Sequence, residues 1–176
     1  KIDINKLIND PDRLSALRNT GLLDSPDELA FDSLTRLVCL NLSAPMSLVT
    51  FVDETRQFFK SQSGLAILER EAPLNHSVCK YVILEKTTLV IEDVRTHPLT
   101  LDKLALPSMG CMAYCGAPLI SEDQIIGSLC AVDSKPREWT ADQIQALEDL
   151  ANIATLQIEA HKLKSKASNT HTEPSE

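Results

Sequence analysis

The stretch Ala113-Tyr114-Cys115-Gly116-Ala117-Pro118-Leu119-Ile120-Ser121-Glu122-Asp123-Gln124-Ile125-Ile126-Gly127-Ser128-Leu129-Cys130-Ala131-Val132 decides the architecture. Two apolar runs, 113–120 and 125–132, flank a polar turn at 121–124, which is the pattern of two antiparallel strands joined by a hairpin. Working back toward the N-terminus, Met46–Val52 is apolar and rich in β-branched residues, and it ends at Asp53-Glu54. Phe58-Phe59-Lys60-Ser61 resumes after Thr55-Arg56-Gln57, so these two runs form an earlier hairpin. Leu89–Val94 supplies a further strand. Between the strands, 64–73 reads as loop and 77–84 as a short helix. The stretch 97–110 is irregular, with a short helix at 101–106.

Helical signals bracket this strand-rich centre. Asp10-Pro11-Asp12 places a cap residue before a proline, and Gly21 ends the pattern it opens. Ser25-Pro26-Asp27-Glu28 has the order of a capping box, predicting a helix from Ser25 to Leu42 with Leu34, Leu37, Val38 and Leu42 on one face. Thr140-Ala141-Asp142-Gln143 is a second capping box. It opens a final helix carrying Ile144, Leu147, Ala151, Ala154 and Ile158 and running to about Lys164. Residues 1–11 are then a lead-in segment, 12–164 one domain, and 165–176 a polar tail expected to be disordered. The fold class is α+β, with a mainly antiparallel sheet of five to six strands.

The chain has 176 residues, with 17 Lys+Arg against 25 Asp+Glu, for a formal charge of −8. That balance opposes binding to nucleic acid or an anionic membrane, both of which need a dense basic face. Apolar runs stop well short of the ~20 residues that cross a bilayer. Five cysteines, an odd number with no CxxC, read as reduced thiols acting as small hydrophobes.

In order and spacing these segments resemble a GAF domain, the small-ligand sensor module of bacterial signalling proteins. The resemblance spans about Arg13 to Leu163. It rests on Leu17-Arg18-Asn19-Thr20-Gly21-Leu22-Leu23-Asp24-Ser25-Pro26, Val52-Asp53-Glu54-Thr55-Arg56-Gln57-Phe58-Phe59-Lys60-Ser61, Gly116-Ala117-Pro118-Leu119 and Gly127-Ser128-Leu129-Cys130-Ala131-Val132-Asp133. It is similar to the subgroup preceding diguanylate cyclase or histidine kinase modules. The resemblance implies terminal helices on one sheet face and, on the other, a ligand pocket roofed by residues 64–110. It also implies a cytoplasmic, non-catalytic sensor that signals to a linked output domain.

Within that frame the expected ligand-lining residues are Phe59, His76, Cys79, Asp93, His97 and Tyr114. Asp93 and His97 qualify because polar residues at a strand end beside irregular backbone are well placed to orient a ligand. Asp53 and Arg56 read as turn chemistry, with the arginine solvated. No catalytic residue, metal site or cofactor is assigned. Gly-x-Ser-x-Gly and phosphate-cradling glycine loops are missing, and the histidines lack ligand spacing. Cys111 and Cys115 are expected on one strand face as core residues. None of the five cysteines is followed by His, which disfavours bilin attachment, and the cyclic-nucleotide signature of the family is not found. A haem ligand would fall to His76 or His97.

Free methionine-sulfoxide reductases are an enzymatic branch of the same fold, and Cys79 stands where such an enzyme has a cysteine. That branch is glycine-rich there, whereas Val78 and Lys80 flank Cys79. Cys111 and Cys115 also lie closer to Pro118-Leu119 than its catalytic thiol. A thiol-dependent reductase is therefore the alternative reading, and a ligand-free dimerisation scaffold is another. Leu150, Ile153 and Leu156 widen the apolar surface of the last helix beyond one stripe, which predicts a homodimer through the terminal helices.

Overall fold

Six strands form one antiparallel sheet in the order β3-β2-β1-β6-β5-β4. They are β1 (Met46–Val52), β2 (Arg56–Ser63), β3 (Glu71–Pro73), β4 (Leu89–Ile91), β5 (Ala113–Ser121) and β6 (Gln124–Asp133). The structure is a computed structural model and describes residues 2–170. Five helices accompany the sheet among those residues: α1 (Ile4–Ile8), α2 (Pro11–Asn19), α3 (Leu29–Leu42), α4 (Lys80–Glu85) and α5 (Ala141–Thr170). The α+β class and strand count expected from the sequence are what the fold shows. Both predicted hairpins are present, and the β5–β6 turn places Glu122 and Asp123 at φ 51° and 60°, the left-handed pair of a tight primed turn.

Alternation along the strands sorts side chains between two cores. On one face Val49, Phe51, Phe58, Cys115, Ala117, Leu119, Leu129 and Ala131 meet Phe31, Leu34, Val38 and Leu42 of α3 and Leu147, Ala151, Ala154 and Ile158 of α5. On the other, Leu48, Val52, Ile91, Tyr114, Cys130 and Val132 meet Val78, Val82 and Ile83 around α4, together with Val94, Leu106 and Ile8. Cys111 belongs to this second side and Cys115 to the first. The expectation that they share a face fails because Cys111 precedes the strand and is outside its alternation.

Several boundaries shift for physical reasons. Asp10 caps α2 through its carboxylate, as the sequence predicts. Asp3 caps a further helix, α1, inside the expected lead-in. Arg13, 2% exposed, ties that helix to the sheet by donating to Ile8 O and Val52 O. Ser25 does not cap α3, which begins four residues later behind Glu28. Its hydroxyl instead donates to Leu22 O and accepts from Lys60 Nζ, so the polar groups of the expected capping box are spent on a buried lysine. The Thr140–Gln143 box does form, with reciprocal bonds of 3.0 and 3.2 Å. Helix α5 continues to Thr170, past the expected end at Lys164, and residues 171–176 of the predicted tail lie outside the described residues. The stretch 101–106 is a run of turns, followed by a single 3-10 turn at Pro107–Met109. No helix of the described residues is long and apolar enough to cross a membrane.

Candidate functional site

On the α4 side, between the sheet and the connections from residues 64 to 111, lies a cavity of about 310 Å³. Its floor is the sheet surface: Leu48 and Thr50 of β1, Gln57 and Phe59 of β2, Tyr114 of β5, and Cys130 and Val132 of β6. Its roof comes from Leu65 and Ile67, from His76, Val78 and Cys79 ahead of α4, and from Leu106, Met109, Gly110 and Cys111. Strand alternation explains the floor, since Leu48, Thr50, Tyr114, Cys130 and Val132 occupy every second position of their strands.

The structure brings Phe59, His76, Cys79 and Tyr114 to this cavity. Asp93 and His97 lie outside its wall, which corrects the expectation for both. The Asp93 carboxylate accepts from Arg95 at the backbone nitrogen and twice at the guanidinium. These bonds, the side-chain ones first, hold its carboxyl below the ordinary 3.8. His97 Nδ1 accepts from Leu99 N. Both side chains build the local turn, and neither lines the cavity. Sequence reasoning missed Thr50, whose alternation with Leu48 and Val52 was the available signal. It also missed Arg56, which pairs with Asp24 at 2.8 Å and Glu71 at 2.5 Å rather than standing in solvent.

The polar centre of the cavity surrounds Cys79. Tyr114 Oη donates to Cys79 Sγ at 3.3 Å and shares a 3.1 Å hydrogen bond with Ser128 Oγ. Gly116 permits this, because a Cβ there would overlap the Tyr114 ring and hydroxyl. The neighbouring Cys130 thiol is the first cause holding the Cys79 thiol below its ordinary range, with the hydroxyl groups adding to it and burial opposing. Cys130 is correspondingly pushed well above that range by the same contact and by burial. Burial pushes Cys111 up to about 12. The Thr50 hydroxyl leans toward Cys79 yet completes no hydrogen bond of ordinary geometry with any described residue, although Thr50 is 0% exposed. All five cysteines are free, and no group of three metal-binding side chains occurs among the described residues.

The family model described as GAF domain matches residues 27–158. A cyclic di-GMP phosphodiesterase of Pseudomonas aeruginosa is 30% identical over 148 residues, covering 82% of this chain and 24% of that protein. The chain therefore spans about a quarter of that relative's length. Among solved structures, the blue-light absorbing form of the Thermosynechococcus elongatus PixJ GAF domain superposes with a TM-score of 0.64 at 20% identity, covering 92% of this chain and 98% of that one. The free methionine-R-sulfoxide reductase of Neisseria meningitidis, solved with its substrate, gives 0.63 at 18% identity, covering 93% and 95%. At these identities the structural likenesses establish the shared fold.

Proposed function

The chain belongs to the GAF family, and from that premise we propose that it is a cytoplasmic, non-catalytic sensory module that binds a small molecule in the cavity over β1, β2, β5 and β6. The observation that carries this reading is a cavity of about 310 Å³ with apolar walls and an unpartnered, fully buried Thr50 hydroxyl at its floor. A buried hydroxyl without a partner is costly unless something else enters to satisfy it. Occupancy would pass to a linked output domain through the helices on the opposite face. The match to about a quarter of a cyclic di-GMP phosphodiesterase supports a module that serves other domains.

A metabolite panel read by thermal shift tests the reading. A ligand at 100 times its Kd stabilises the fold by about 2.7 kcal/mol, raising Tm by roughly 5–10 °C for a domain of this size. A flat panel would leave only the scaffold role. In the same preparation we expect no turnover of free methionine sulfoxide with dithiothreitol. Cys79 is the one thiol of the cavity held low, while Cys111 and Cys130 are both pushed up, so no second thiolate stands ready to resolve an oxidised Cys79. Turnover that disappears in Cys79→Ser would install the reductase reading instead.

The module would act as a homodimer through its terminal helices. Leu147, Ala151, Ala154 and Ile158 are consumed by the subunit's own core, whereas Ile153 and Leu156 remain 52% and 70% exposed. Ile153→Glu with Leu156→Glu is expected to give a folded monomer in sedimentation, with thermal stability within about 1 kcal/mol of the parent at dilutions where the parent is itself monomeric, because neither side chain is buried within the subunit. A parent chain that already sediments as a monomer at high concentration removes the dimer from the proposal.

A further inference from the structure

We propose that the ligand of this cavity is a small amphiphilic amine, with an apolar ring system inside, a protonated nitrogen at the mouth, and neither phosphate nor carboxylate. This rests on the sensory reading of the same cavity and narrows it to a chemical class. Size sets the first limit: 310 Å³ lies at the bottom of the range for ligand pockets, enough for one or two fused rings with a short chain. The wall sets the second. Leu48, Phe59, Val78, Leu106 and Val132 present hydrocarbon, and no lysine or arginine lines the cavity. An anion entering it would lose its hydration with no cation to receive it, a cost of several kcal/mol.

The mouth and the floor supply the remaining terms. Glu69 and Glu71 stand exposed on the rim. Glu71 is already engaged with Arg56, whereas Glu69 makes no ion pair among the described residues, so its carboxylate is the uncommitted charge at the entrance. The net charge of −8 adds a field that draws cations and repels anions. At the floor, the unpartnered Thr50 hydroxyl calls for one hydrogen-bonding atom on the ring system itself. A flat hydrocarbon would leave it unsatisfied, while a ring N–H or phenolic O–H would not.

Three compounds sharing one ring test this by calorimetry at pH 8: tryptamine, indole and indole-3-acetate. Tryptamine is expected to bind about two- to fivefold more tightly than indole, the range of one exposed ion pair. Indole-3-acetate is expected to bind at least about tenfold more weakly than indole, because its carboxylate finds no partner. Glu69→Gln should erase the advantage of tryptamine and leave indole unchanged. Thr50→Val should weaken indole and tryptamine alike. Indole-3-acetate binding as tightly as tryptamine, or a tryptamine advantage that survives Glu69→Gln, overturns the amine class. Binding of none of the three alongside a hit in the metabolite panel also overturns the class and leaves the sensory reading standing. Binding of none with a flat panel overturns both.

Discussion

Gly127→Ala is expected to cost about 3 kcal/mol, a large share of the roughly 5–15 kcal/mol by which a folded domain is stable. Gly127 sits in β6 opposite Phe51, and its backbone is extended, so conformational freedom is not what the position requires. Space is. A Cβ there would overlap the carbonyl oxygen of Thr50 and stand 2.9 Å from its carbon and 3.0 Å from Phe51 Cα. Those are main-chain atoms of a central strand beside a bulge between Val49 and Thr50, and they cannot rotate away as a side chain would. Relief requires β1 and β6 to separate, which breaks a ladder joining both halves of the sheet. Gly116→Ala is the informative contrast. The three atoms nearest its Cβ all belong to the Tyr114 side chain, which can rotate away, so the protein should fold while the Tyr114–Cys79 hydrogen bond is lost. Urea midpoints measure both, and a Gly127→Ala protein with the parent's midpoint would refute the close-approach argument.

The second large effect is at Glu28. Lys60 is 0% exposed; its ammonium donates to Ser25 Oγ at 2.7 Å and Pro26 O at 2.5 Å and forms an ion pair with Glu28 Oε2 at 2.6 Å. Only Glu28 balances the charge. Glu28→Gln keeps the shape and removes that balance. Breaking a buried pair this way costs 3–5 kcal/mol, reduced to roughly 2–3 here because Glu28 is partly solvated and the other two acceptors remain. Lys60→Met in the Glu28→Gln background should recover most of the loss, since an uncharged chain of similar volume then fills the site. A double-mutant cycle without that recovery would refute the assignment. The pair also gives acid sensitivity. Burial works to raise the Glu28 carboxyl, but hydrogen bonds from Lys60 and His161 outweigh it and hold the folded value below 4.5. Such a group stabilises the fold fully above its unfolded value and loses that contribution as pH falls through the lower folded one. The parent should lose stability on acidification below about pH 4.5 more steeply than Glu28→Gln.

Sheet and helix layer were legible because they depend on periodicity. Met46–Val52 and the 113–132 hairpin read directly as strands, and the stripe from Leu147 to Ile158 is the one α5 buries. Four of six expected ligand-lining residues reach the cavity, mostly because strand alternation or the position ahead of a short helix puts them there. What escaped depends on contacts between residues far apart in the chain. Ser25 and Glu28 have the spacing of a helix start, and nothing nearby reveals that Lys60, some thirty residues on, would claim both. Arg56 resembles a solvated turn residue until Asp24 and Glu71 are folded beside it. Asp93 and His97 were placed by their position at a strand end, but their lone pairs are used by neighbours two residues away. Helix α1, five residues long, is too short to show a period and is held by Arg13.

The strand order β3-β2-β1-β6-β5-β4 also has a kinetic meaning. β1 zips to β2 across a short turn, but its other edge waits for β6, whose pairing joins Met46 to Val132 and Phe51 to Gly127. During synthesis at about 5–20 residues per second, that apolar edge stands open for several seconds after β1 emerges. The long loop to be closed slows the search, as in other folds dominated by non-local pairing. The nascent chain is thus most prone to aggregate before the 113–132 hairpin appears, and slower translation between residues 64 and 112 should lower the yield of folded protein.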